Sequence, residues 1–175
     1  MILRIVIVVA VLIAAILAFA ATKPNTLRIQ RSININASPE KIFALINDFH
    51  NWSSWAPQDK EDPTMTRIYS GAANGEGAVS DWNSTGSAGN GRMTITGSVP
   101  SEKISIQVDF VRPFEAHNVN QFTLERAGTS TKVTWTMNGT NLYIMKVMSV
   151  FKSMDDVIGP HFEHGLANLK AIAEQ

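Results

Sequence analysis

His161 and His164 stand three residues apart in a stretch of helical periodicity, with Asp155 and Asp156 upstream. Two imidazoles at that spacing on a helix can share a metal ion. A third ligand has no evident source, because Glu163 points elsewhere around the helix. A solvated helical face is the simpler expectation, and neither metal nor cofactor is expected. Gly71, Gly75, Gly77, Gly86, Gly89 and Gly91 form a second cluster. A phosphate-cradling loop needs its glycines between a strand and a helix N-terminus. Strands flank these on both sides, so turns and bulges are expected instead. No serine sits in a nucleophile-elbow pattern. The chain has no cysteine, which excludes disulfides, thiolate zinc sites and cysteine nucleophiles. His50 and His117 suggest no role, and Asp109 reads as an outer-face carboxylate.

Apolar recognition fits better than acid–base chemistry. Trp82 and Trp135 fall mid-strand beside apolar positions, where an indole can wall a cavity or simply pack. Trp52 reads as packing. Met137, Met145, Met148 and Met154 crowd the last strand and the helical stretch after it. Methionine suits a pocket that accepts varied shapes, although helical spacing also fits ordinary core. Asn118 and Asn120 share a strand face with Phe122 and Leu124. Their amides would meet a ligand's polar end if that face lines a cavity; facing water is the plainer expectation. The candidate ligand-binding set is Trp82, Met93, Phe110, Asn120, Phe122, Trp135, Met137, Met148 and Phe162, with no catalytic residue assigned.

The elements that must position these residues are legible from periodicity. Leu27, Ile29, Ile33 and Ile35 alternate with polar residues, with Arg31 on their face, which predicts a first strand. Ser38 offers an N-cap oxygen, Pro39 suits the first helical position, and Ile42, Phe43, Leu45 and Ile46 form an apolar stripe. A helix to about Asp48 is expected, followed by a tight helical turn or loop closed by Pro57. Strands are expected near Thr64–Ser70, Ala78–Ser84, Arg92–Val99, Lys103–Val111, Asn118–Glu125 and Lys132–Asn138. Short connections such as Ala127-Gly128-Thr129 imply antiparallel hairpins. From Leu142 the period becomes helical, with a break or kink expected at Gly159-Pro160 and a final amphipathic helix from Phe162. Strands followed by helix mean an α+β fold.

Ahead of this lies a different segment. Ile5 to Ala21 carry no polar side chain, and at about 1.5 Å per residue they reach roughly 25 Å, the short end of a membrane span. Ala18-Phe19-Ala20 fits a signal-peptidase site, but the apolar run is longer than a usual signal core. Residues 1–22 are therefore expected to be an uncleaved transmembrane anchor, with a cleaved export signal as the alternative. Arg4 lies on one side and Lys23, Arg28 and Arg31 on the other, so charge does not set the orientation. With 175 residues the chain has room for one domain besides. Its 15 basic and 15 acidic side chains balance, which argues against a nucleic-acid partner.

The order of elements, with its particular residues, resembles the START-like (SRPBCC) superfamily, and within it the polyketide cyclase/dehydrase branch. The resemblance rests on Ala37-Ser38-Pro39-Glu40-Lys41-Ile42-Phe43, then Ile46-Asn47-Asp48-Phe49 with Trp52 and Trp55, and Tyr69-Ser70-Gly71. Gly75, Gly77, Ala78, Trp82, Gly91, Met93, Ile95 and Val133-Thr134-Trp135 continue it. Met154-Asp155, Gly159-Pro160, Phe162-Glu163, Gly165-Leu166 and Leu169-Lys170 close it, so that it spans residues 26–174. It implies a helix-grip fold, in which a curved antiparallel sheet of about seven strands wraps a long C-terminal helix. This superfamily hosts lipid transfer, hormone binding and cyclase chemistry, so fold does not fix function. The leading expectation is a membrane-tethered domain holding a small hydrophobic or amphipathic ligand, more binding protein than enzyme. A cyclase/dehydrase using the same cavity and a protein-interaction scaffold are the alternatives.

Overall fold

A computed structural model describes residues 1–57, 62–86, 88–112 and 115–175. After an N-terminal helix α1 (Ile2–Ala21) the chain enters strand β1 (Thr26–Ile35), then helix α2 (Pro39–Ile46), a 3-10 turn (Phe49–Asn51) and the short helix α3 (Trp52–Trp55). Six strands follow: β2 (Thr66–Gly71), β3 (Ala78–Asn83), β4 (Asn90–Val99), β5 (Lys103–Arg112), β6 (Ala116–Ala127) and β7 (Ser130–Thr140). Helices α4 (Tyr143–Met148) and α5 (Met154–Ala173) end it. This is the α+β helix-grip architecture.

The strands form one antiparallel sheet in the order β1-β7-β6-β5-β4-β3-β2. Consecutive strands from β2 to β7 are neighbours, as hairpins require. The exception is β1, which pairs with β7 from Thr26↔Thr140 to Ile35↔Thr131. β1 and β2 therefore lie at opposite edges, and α2 and α3 carry the chain between them.

Period-two alternation sends one residue set inward. Ile104, Ile106 and Val108 of β5, Phe122 and Leu124 of β6, and Val133, Trp135 and Met137 of β7 are all buried. On α5, Phe162, Leu166 and Leu169 are buried against them. An aromatic chain joins the layers. Trp52 and Trp55 meet at 4.7 Å between ring centroids, Trp55 meets Phe122 edge-on at 6.1 Å, and Trp135 stacks on Phe162 at 4.0 Å and 7°. Each such pair adds about 0.5–1.5 kcal/mol beyond area burial.

α2 starts as its sequence dictates. Ser38 Oγ accepts from Lys41 N at 3.3 Å, and Pro39 occupies the first turn. It stops earlier than expected, at Ile46, because the Asp48 carboxylate accepts from His50 N and caps the 3-10 turn instead. A second expectation fails at Gly159-Pro160, where α5 runs unbroken from Met154 to Ala173. Proline normally expels its predecessor from helical space through a clash with that residue's Cβ. Gly159 has none. It also leaves room for Arg31, whose Nη2 would lie 2.0 Å from a Cβ at Gly159. Arg31 crosses from β1 to α5 and donates to Asp155 at 2.8 and 2.9 Å and to Glu163 at 2.6 Å.

The helix α1 is long and apolar enough to cross a membrane. Of its side chains only Ala20 is buried.

Candidate ligand cavity

Between the sheet and α5 lies a cavity of about 430 Å³, within the usual range for small-molecule sites. Trp82 of β3, Met93 of β4, Phe110 of β5, Asn120 of β6, Trp135 and Met137 of β7, and Phe162 of α5 all line it. They come together because each is an inward position of its strand or helix. Trp82 keeps its place through two contacts. Its Nε1 donates to Ala88 O at 3.1 Å, and its six-membered ring lies over Gly91, where a Cβ would come within 2.4 Å. Gly91 therefore makes room for the Trp82 indole instead of shaping a turn, which corrects its grouping with the turn glycines. Gly71, Gly75, Gly77 and Gly89 do hold positive φ, as hairpin turns demand.

Two candidates stand elsewhere. Phe122 lies behind the wall, fully buried in the aromatic chain between Trp52, Trp55 and Trp135. Met148 is 51% exposed on the outer side of α4. On a six-residue helix only one flank can face the cavity, and Met145 occupies it. Met154, by contrast, is core.

The polar part of the wall differs most from expectation. Asn118 and Asn120 are buried, not solvated, because β6 begins two residues early at Ala116 and carries the inner face past them. Among the described residues Asn120 Oδ1 and Trp135 Nε1 have no hydrogen-bond partner. They are diagonal neighbours on the inner face, since Asn120 pairs with Met137 and Phe122 with Trp135. His161 is half-buried on the cavity wall, where a solvated face was expected; His164 is exposed. Trp52 both packs and lines: its Nε1 donates to Ile46 O at 2.9 Å while its ring reaches the cavity.

Asp62 and Arg67 also face the cavity, and nothing in the sequence pattern singles them out. Arg67 Nη1 donates to the buried Ser80 Oγ at 3.2 Å. β2 turns Ile68 outward, 70% exposed, and Arg67 inward opposite Trp82, so hydropathy alone would invert this strand. Asp62 accepts from Ser84 Oγ and from Thr64 Oγ1 at 2.6 Å. Those hydroxyls, Ser84 first, hold its carboxyl below the usual carboxylate range. A carboxylate stabilised in this way is a weak proton acceptor near neutrality. Among the described residues no three His, Asp or Glu side chains converge as a metal site.

Comparison with known proteins gives a consistent picture. A family model described as "Polyketide cyclase / dehydrase and lipid transport" matches residues 26–174. No curated protein matches the chain. Among solved structures, protein CV1439 from Chromobacterium violaceum superposes with a TM-score of 0.60 at 16% identity, covering 87% of this chain and 99% of that one. The Aha1 dimer from Colwellia psychrerythraea gives a TM-score of 0.57 at 21% identity, covering 85% and 96%. The di-domain ARO/CYC StfQ of the steffimycin biosynthetic pathway gives a TM-score of 0.64 at 12% identity, covering 85% of this chain and 51% of that one. At such identities the likeness is one of fold.

Proposed function

This chain belongs to the polyketide cyclase / dehydrase and lipid transport family, and we propose that it binds a small hydrophobic or amphipathic ligand between the curved sheet and α5, tethered to a membrane by α1. One observation carries the reading. The cavity of about 430 Å³ has a mostly apolar wall interrupted by a few polar groups. Apolar surface supplies affinity and a few polar groups fix orientation. In this reading Trp82, Met93, Phe110, Trp135, Met137 and Phe162 contact the ligand's apolar body, and Asn120 meets a polar group on it. Residues 1–22 act as the anchor and residues 26–174 as the binding domain.

The test is extraction of the full-length chain from lipid nanodiscs followed by mass spectrometry of bound small molecules. A discrete compound enriched over empty nanodiscs, and lost in Ala116→Trp, supports the reading. Ala116 lines the cavity, so the new indole would fill it. Equal recovery from wild type, variant and empty discs overturns it.

A second reading, an enzyme acting on a polyketide-like chain in the same cavity, draws on StfQ being an ARO/CYC and on Asp62, Arg67 and His161 facing the cavity. Turnover of a polyketide analogue that Asp62→Asn or His161→Gln abolishes would favour it. Undiminished turnover in both variants would reject it.

A further inference from the structure

The short helix α4 has two unlike sides. Met145 lines the cavity. On the other side Tyr143 is 50% exposed, Ile144 44% and Met148 51%, and Phe151 just beyond is 76% exposed. The one charged side chain of the helix, Lys146, is buried and reaches Asn25 Oδ1. What remains outward is an apolar face of Tyr143, Ile144, Met148 and Phe151. Contiguous apolar patches on soluble domains generally mark an interaction site.

Its position relative to α1 identifies the partner. Tyr143 Oη donates to Leu17 O at 2.9 Å, and Lys23 Nζ donates to Ser149 O at 2.8 Å. Asn141 adds two bonds to the linker, from its N to Asn25 O at 2.7 Å and from its Nδ2 to Pro24 O at 3.1 Å. α4 is thus pinned beside the last turn of α1. Leu17 lies four residues short of the end of α1, about 6 Å along the axis. If α1 enters a bilayer, Tyr143 and its apolar neighbours reach the headgroup region with it. Tyrosine is favoured at that depth because its ring is apolar and its hydroxyl polar. Lys23 and the exposed Lys152 flank the patch, as basic side chains do beside anionic headgroups.

We propose that Tyr143–Phe151 is a membrane-contact segment, with Ile144, Met148 and Phe151 seated in the interfacial layer of the bilayer that α1 spans. This rests on the tethering reading above. α4 then stands between the cavity, which Met145 lines, and the lipid. It also accounts for Met148, whose side chain has no part in the cavity.

The absence of cysteine makes the test direct. Single cysteines replacing Val11, Thr129, Met148 or Phe151 in the full-length chain are spin-labelled and reconstituted in phosphatidylcholine/phosphatidylglycerol vesicles. Depth is read from collision with oxygen against a water-soluble nickel chelate, and a melt by circular dichroism checks folding. We expect position 11 in the bilayer core and position 129, on the β6–β7 hairpin, in water. Positions 148 and 151 should show a severalfold higher oxygen-to-nickel ratio than 129, at an interfacial depth of about 5–10 Å into the headgroup/acyl boundary. Labels at 148 and 151 as nickel-accessible as 129, with 11 still in the bilayer, overturn the segment and leave the anchor standing. Labels there shielded from both reagents mean a protein covers the patch, which also overturns the proposal. If position 11 is in water the tether fails; interfacial depth at 148 and 151 would then support a surface contact alone, and water there would overturn both.

Discussion

At the scale of single residues, two members of the candidate set separate cleanly: Phe122 is buried and Met148 is exposed. Phe122 packs on three tryptophans with no cavity face, so Phe122→Ala should cost about 3–5 kcal/mol in urea unfolding. Met148→Ala, on an exposed surface, should stay within about 0.5 kcal/mol in the same assay. Equal losses would contradict the assignment of Met148 to the outside. Gly91→Ala places a methyl against the Trp82 ring and the Asp109 carbonyl. About 1–3 kcal/mol of destabilisation is expected, since overpacking forces the ring or the strand to shift. On the binding proposal, recovery of a bound small molecule should fall as well, because the indole that moves is part of the cavity wall. Much of this wall was legible from alternation alone: Trp82, Met93, Phe110, Trp135 and Met137 are inward by period. Arg67, Asp62 and His161 were not. Which inner residues meet and which fail to meet depends on sheet curvature, and periodicity carries no information about curvature.

Among elements, the joint between β1 and α5 responds to pH. Arg31 holds the Asp155 carboxyl below its ordinary value, chiefly through the hydrogen bond and then through charge. The unfolded chain lacks that help. The contribution is therefore complete above the unfolded carboxylate range, about pH 4, and drains away as pH falls through the lower folded value. Urea stability measured from pH 6 downward should decline in wild type, and Asp155→Asn should flatten that part of the decline. An unchanged profile would mean the pair contributes nothing to holding α5. The strands and the start of α2 followed from local pattern. The unbroken run of α5 through Pro160 did not: Gly159 lacks the Cβ that Pro160 would clash with, and Arg31 from a distant strand fills the space it leaves.

For the whole molecule, tethering makes a simple demand. The mature chain should resist alkaline carbonate extraction and retain residues 1–20 by intact mass. A mature N-terminus at Ala21 would establish cleavage and remove the anchor. The composition of α1 speaks to length and apolarity, and a signal sequence meets the same test; the bonds from Tyr143 to Leu17 of α1 and from Lys23 of the linker to Ser149 have no trace in a linear pattern.

The pairing of β1 with β7 has a consequence in time. β1 is the first strand made, yet β7, its only partner strand among the described residues, arrives about a hundred residues later. At about 5–20 residues per second, synthesis imposes a wait of roughly 5–20 s. Such long-range pairing also slows the search itself. Through that interval β1 is a newborn strand with unmatched backbone groups. A nascent chain stalled before β7 should therefore expose β1 to protease, and one released after β7 should not.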